Sequence, residues 1–124
     1  MIQLKTVQRP NPKDVTAPRK YYVSTQSAGE VTLETLSEAI SEKCTLTDTD
    51  VLAVLSALTK EMKAHLMDGK IVRFGSFGSF QLSLNSNGVD TLAETSKHQV
   101  KAAKVRFRPG QKIQESLKVL KFKM

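Results

Sequence analysis

The chain has 124 residues, 40% of them hydrophobic, and a formal net charge of +7, which fits one domain with room for an appended segment. No apolar run reaches the roughly 18 residues of a membrane span, and the opening MIQLKTVQRPNPK lacks the apolar centre of a secretory signal, so a soluble cytoplasmic protein is expected. A single cysteine, Cys44, excludes an internal disulfide, in keeping with a reducing compartment.

Residues 1–30 read as an N-terminal extension. Gln3–Gln8 mixes polar and apolar residues as an edge strand does, with Leu4 and Val7 separated by Lys5 and Thr6. Pro10, Asn11, Pro12 and Pro18 then forbid a helix. Tyr21-Tyr22-Val23 favours a second strand, so two short strands around a flexible loop are expected.

A helix is predicted from Thr32, a good cap followed by Glu34 in the first turn, with Leu33, Leu36 and Ile40 at helical spacing. A second starts after Thr47, where Asp50 approximates the closing acid of a capping box. Val51, Leu55, Leu58, Met62 and Leu66 form its apolar stripe, and Gly69 stands where a terminating glycine belongs. Most of the acidic residues lie on these two helices opposite the stripes, which makes the pair a scaffold.

Helical periodicity ends at Ile71-Val72, which begins a strand. Arg73-Phe74-Gly75-Ser76-Phe77-Gly78-Ser79-Phe80 interleaves aromatics with glycine and serine, as a tight turn requires. Phe80, Leu82 and Leu84 then share one strand face. Residues 85–97, opened by the Asn87-Gly88 turn signal, read as a polar, flexible tip.

On the return strand Ala103, Val105 and Phe107 point one way, and Lys104, Arg106 and Arg108 the other. Pro109-Gly110 ends it, and Ile113, Leu117 and Leu120 mark a short terminal helix bearing Lys112, Lys118 and Lys121. Charge is divided accordingly. Residues 70–124 hold eleven Lys/Arg against three Asp/Glu, whereas residues 31–69 hold three against seven. A row of cations on one strand face suits a polyanion, because each neutralised phosphate releases condensed counterion. Lys97, Lys101, Lys104, Arg106, Arg108 and Lys112 are the candidate phosphate contacts. The plainer alternative is a solvated edge whose charges prevent aggregation.

Other chemistry finds no support. His65 and His98 have no partners at metal-ligand spacing, and Cys44 lacks a base and reads as a small hydrophobe filling a helix end. Gly75–Ser79 is not a phosphate loop, since no Gly-Lys-Ser/Thr follows. Neither an enzyme nor a cofactor or metal site is expected.

The order helix–helix–strand, the Phe-Gly-Ser-Phe-Gly-Ser-Phe turn, the two long strands and Phe107-Arg108-Pro109-Gly110-Gln111-Lys112 together resemble the HU/IHF histone-like family. The likeness spans about residues 31–122 and is nearest to the longer HU-like variants with an N-terminal extension. It implies an α+β fold: an N-terminal helical hairpin, an antiparallel β-sheet with a protruding β-arm and a short C-terminal helix, here with short N-terminal strands added. The implied domains are an extension at 1–30 and an HU-like DNA-binding domain at 31–124. The resemblance further implies an intertwined homodimer with Phe77, Phe80 and Phe107 in its core, and paired arms that reach around double-stranded DNA and bend it. Such a protein is nucleoid-associated and condenses DNA without a membrane or small-molecule partner. The family's arm tip usually carries Arg-Asn-Pro, whose proline wedges between base pairs. Here Asn85–Asp90 has neither proline nor cation, leaving Val89 or Leu92 as the lesser wedges.

The expected function is therefore non-specific duplex binding through the backbone. Two alternatives stay open: an HU-like protein-interaction module redirected by residues 1–30, and single-strand or RNA binding through Tyr21 and Tyr22.

Overall fold

A computed structural model describes residues 1–124. In chain order the elements are β1 (Ile2–Arg9), β2 (Lys20–Thr25), α1 (Leu33–Ser41), α2 (Asp48–Met67), β3 (Val72–Phe74), β4 (Gly78–Ser86), β5 (Val100–Pro109), α3 (Gln111–Leu117) and β6 (Phe122–Lys123). The strands form two three-stranded sheets, ordered β2-β1-β6 and β3-β4-β5. This is an α+β chain with an HU-like arrangement of two helices, an antiparallel sheet and a short C-terminal helix.

Both long helices begin where their caps dictate. The Thr32 hydroxyl accepts from the Thr35 amide at 3.3 Å, and the Thr47 hydroxyl accepts from the Asp50 amide at 3.2 Å. α2 ends in a Schellman turn: Gly69, at φ +79°, donates to the Leu66 carbonyl, and Lys70 donates to the His65 carbonyl. α1 and α2 pack against each other, and α2 lies against β3 and β4. The stripe is oriented as expected, with Val51 and Leu66 buried and Leu55, Leu58 and Met62 half-buried.

β1 has a neighbour at Ile2 and Gln3 that its alternation does not suggest, while over Leu4–Arg9 it is the edge strand expected. β2 pairs antiparallel on one side, and β6 pairs parallel on the other, setting Ile2 opposite Phe122. The Ile2 amide also donates to the Lys121 carbonyl at 2.8 Å. The terminal helix is correspondingly shorter than predicted. α3 stops at Leu117, leaving Leu120 and Lys121 outside it, because the following residues extend to pair with β1.

The tip between β4 and β5 is organised rather than merely polar and flexible. Asn87 and Gln99 close its neck: the Asn87 amide donates to the Gln99 carbonyl at 2.8 Å, and Gln99 Nε2 donates to the Asn87 carbonyl at 2.7 Å. Leu92–Glu94 and Lys97–Gln99 form 3-10 turns, the second closed by a Ser96–Gln99 capping box. Cys44 is exposed, so it fills no gap at the helix end; it lies in the turn after α1, beyond the packed helix face.

Only four of the 124 residues are buried. The accessible surface is 10631 Å², against roughly 6,600 Å² for a compact monomer of this mass. Exposed large apolar residues include Tyr21 and Val23 on β2, Phe74, Phe77 and Phe107 around the second sheet, and Leu36, Ile40 and Val54 on the helices.

Candidate nucleic-acid interface

The register of the second sheet sorts its residues by chemistry. Phe80 faces Phe107, Leu82 faces Val105 and Leu84 faces Ala103; between them Ser79 faces Arg108, Gln81 faces Arg106 and Ser83 faces Lys104. Paired residues share a face and successive residues alternate. One side is therefore aromatic and aliphatic, and the other carries Lys104, Arg106 and Arg108 over a floor of Ser79, Gln81 and Ser83.

β3 adds a fourth cation to that face. Arg73 is paired with Ser79, which is paired in turn with Arg108, so Arg73 and Arg108 flank one serine across three strands. Arg73, Ser79, Gln81, Arg106 and Arg108 line a shallow groove. Sequence reasoning passed over Arg73 because its strand is only three residues long. The available signal was alternation from Val72, combined with pairing of the Phe-Gly-Ser turn.

These cations have no acidic partner. The only close approach of a basic to an acidic side chain in the chain is His65 to Glu61 at 3.5 Å on α2, which places His65 on the helix surface. The four charges stand exposed, and their nearest polar neighbours, Ser79 and Gln81, can hydrogen-bond phosphate oxygens as well. Lys104 to Arg108 spans about 13 Å of strand.

The other three predicted contacts stand apart. Lys101 has no Cα partner: Asn85 pairs with Ala102 and Ser86 with Val100, so Lys101 is the extra residue of a β-bulge. Lys97 sits in the 3-10 turn of the tip, and Lys112 in the first turn of α3. None of the three lines the groove.

On the opposite face the aromatics gather around Phe107. Its ring centroid lies 4.9 Å from that of Phe80 and 5.4 Å from that of Phe77, with Phe74 edge-on to Phe77 at 5.9 Å. Packing of this kind adds to simple area burial. Yet Phe77 is 48% and Phe107 41% exposed, so the cluster is only half covered within one chain. At the tip, Leu92 is 87% exposed. No group of three or more metal-ligating side chains comes together, and no helix is long and apolar enough to cross a membrane.

Comparison with known proteins agrees with this arrangement. A family model described as an HU domain fused to wHTH, Ig, or glycine-rich motif (HU-HIG) matches residues 1–124. Integration host factor subunit alpha of Actinobacillus succinogenes is 30% identical over 80 residues, covering 63% of this chain and 82% of that protein. A crystal structure from Bacteroides vulgatus, described provisionally as a bacterial DNA-binding protein, superposes with a TM-score of 0.64 at 10% identity. That match covers 98% of this chain and 47% of the other, so the chain spans about half the length of the solved structure it resembles. The relationship to integration host factor places the chain in a non-enzymatic group. With the helix pair, the antiparallel sheet and the full-length match all in agreement, the chain belongs to the HU-HIG family of HU-domain proteins.

Proposed function

We propose that this protein binds duplex DNA without sequence preference, as an architectural protein of the bacterial nucleoid. The observation that carries the reading is the unpaired row of Arg73, Lys104, Arg106 and Arg108 on one face of the second sheet. Cations held on a rigid ladder track a phosphate backbone and read no bases, and proteins related to HU and IHF are minor-groove architectural binders. Lys97, Lys101 and Lys112 extend the contact toward the tip and the last helix. In this reading β4 and β5 are the arm, residues 31–124 are the DNA-binding domain and residues 1–30 are its extension.

The binding unit is a homodimer. Phe77 and Phe107 leave apolar surface that a second chain can cover. Phe77, Phe80 and Phe107, with their half-exposed rings, form the centre of that interface. The arm tip has no proline, so bending depends on Leu92 and on phosphate neutralisation along one side.

The test is fluorescence anisotropy with a generic duplex across a salt series. Binding falls steeply with salt, and R106A/R108A weakens it alike for unrelated sequences. Absence of wild-type binding at low salt refutes the reading.

A further inference from the structure

The N-terminal sheet is also divided into two chemically distinct faces. Arg9 is paired with Lys20, Val7 with Tyr22 and Lys5 with Ser24, while β6 sets Lys123 beside Gln3. By strand alternation, Lys5, Arg9, Lys20 and Lys123 project on one side with Tyr22 among them. Ile2, Leu4, Tyr21, Val23 and Phe122 occupy the other.

This basic face carries no counter-charge. None of β1, β2 and β6 contains Asp or Glu, and the four cations make no ion pair. The nearest acid in sequence, Asp14, is turned into its own loop, where its carboxylate accepts from the Thr16 hydroxyl at 2.6 Å and the Thr16 amide at 3.0 Å. Arg9, Arg19, Lys20 and Tyr22 line a cleft at the loop end of the hairpin with Asn11 and Pro18. β6 covers only Ile2 and Gln3 of β1, so Lys5 and Arg9 also guard an open edge. Edge protection does not call for Arg9 directly opposite Lys20, however, where like charges repel unless an anion lies over them.

We propose that this face is a second contact surface for nucleic-acid phosphates, separate from the groove on the other sheet. Lys5 to Arg9 covers about 13 Å along the strand, which fits a linear polyanion better than one isolated phosphate. Tyr22, 48% exposed between the cations, supplies a flat ring alongside the backbone. The inference rests on the duplex-binding reading and adds to it a site in the extension.

The test compares full-length variants on one duplex across a salt series. R73Q/K104Q/R106Q/R108Q, with the row on the second sheet neutralised, retains weakened binding through the N-terminal face and the outlying Lys97, Lys101 and Lys112. At about 0.9 per neutralised phosphate, adding K5Q/R9Q/K20Q lowers its log–log salt slope by about 2 to 3 per protomer, and K5Q/R9Q/K20Q alone lowers the wild-type slope by the same amount. Circular dichroism checks that each variant is folded. If K5Q/R9Q/K20Q leaves the slope unchanged in either background, the second site is refuted while the groove reading stands. If wild type itself fails to bind, both fall. If K5Q/R9Q/K20Q loses phosphatidylserine vesicles but leaves duplex binding unchanged, the face serves lipid and the proposal is wrong.

Discussion

The amide of Gly110 donates to the carbonyl of Phe77 at 2.8 Å, joining the turn between β3 and β4 to the entry of α3. The two most recognisable stretches of the sequence, Phe74–Phe80 and Phe107–Lys112, thus meet in one joint. No side chain fits there: a Cβ on Gly110 would strike the Ser76 carbonyl oxygen and stand 2.7 Å from its carbon. Gly78, at φ +151°, is confined in the same way by the Arg108 carbonyl and the Phe107 ring.

Gly110→Ala is therefore expected to cost about 1–3 kcal/mol, because backbone rather than a flexible side chain blocks the added methyl. Gly88→Ala at the tip, with nothing within 4 Å, costs no stability. Paired urea melts of the two variants check this. Equal midpoints would show that the joint is looser than its contacts imply.

Phe107→Ala removes the ring that touches both Phe77 and Phe80. A loss of about 3–5 kcal/mol is expected if the site is closed by a second chain, with a shift toward monomer in light scattering on dilution. In a free monomer, where the ring is 41% exposed, the loss is smaller and the mass is unchanged.

Arg73→Ala should reduce the salt slope of duplex binding by about 0.9 per protomer, the equivalent of one phosphate for each copy in the dimer. Lys112→Ala, outside the groove, should change it less. A larger effect at Lys112 than at Arg73 would relocate the contact to α3.

The Asp14 carboxyl titrates below its ordinary value, chiefly because the Thr16 side chain and then the Thr16 amide donate to the charged form. A depressed folded pKa makes a contribution that is present above the unfolded value of 3.8 and is lost as pH falls through the folded one. NMR titration of Asp14 should show a midpoint below 3.8, and Thr16→Val should raise it. Unchanged titration in the variant would exclude the hydroxyl as the cause.

The parts of the fold visible in sequence are those set by neighbours. Thr32 and Thr47 cap helices because a hydroxyl reaches amides three residues on, and Lys104–Arg108 alternates because strands have period two. What could not be read depends on distant pairing. β6 is two residues long and exists only because β1, at the other end of the chain, offers it a partner. That pairing covers the first two residues of β1 and takes Leu120 out of the helix. Arg73 joins the groove through register across three strands, and Lys101 leaves the ladder through a bulge that no local pattern announces.

The most direct test of the central claim is the salt dependence of duplex binding by wild type beside R73A/R106A/R108A. Binding through the groove predicts a steep wild-type slope that the variant reduces by about 2 to 3 per protomer, to the same extent on unrelated duplexes. An identical slope in the two proteins would contradict it.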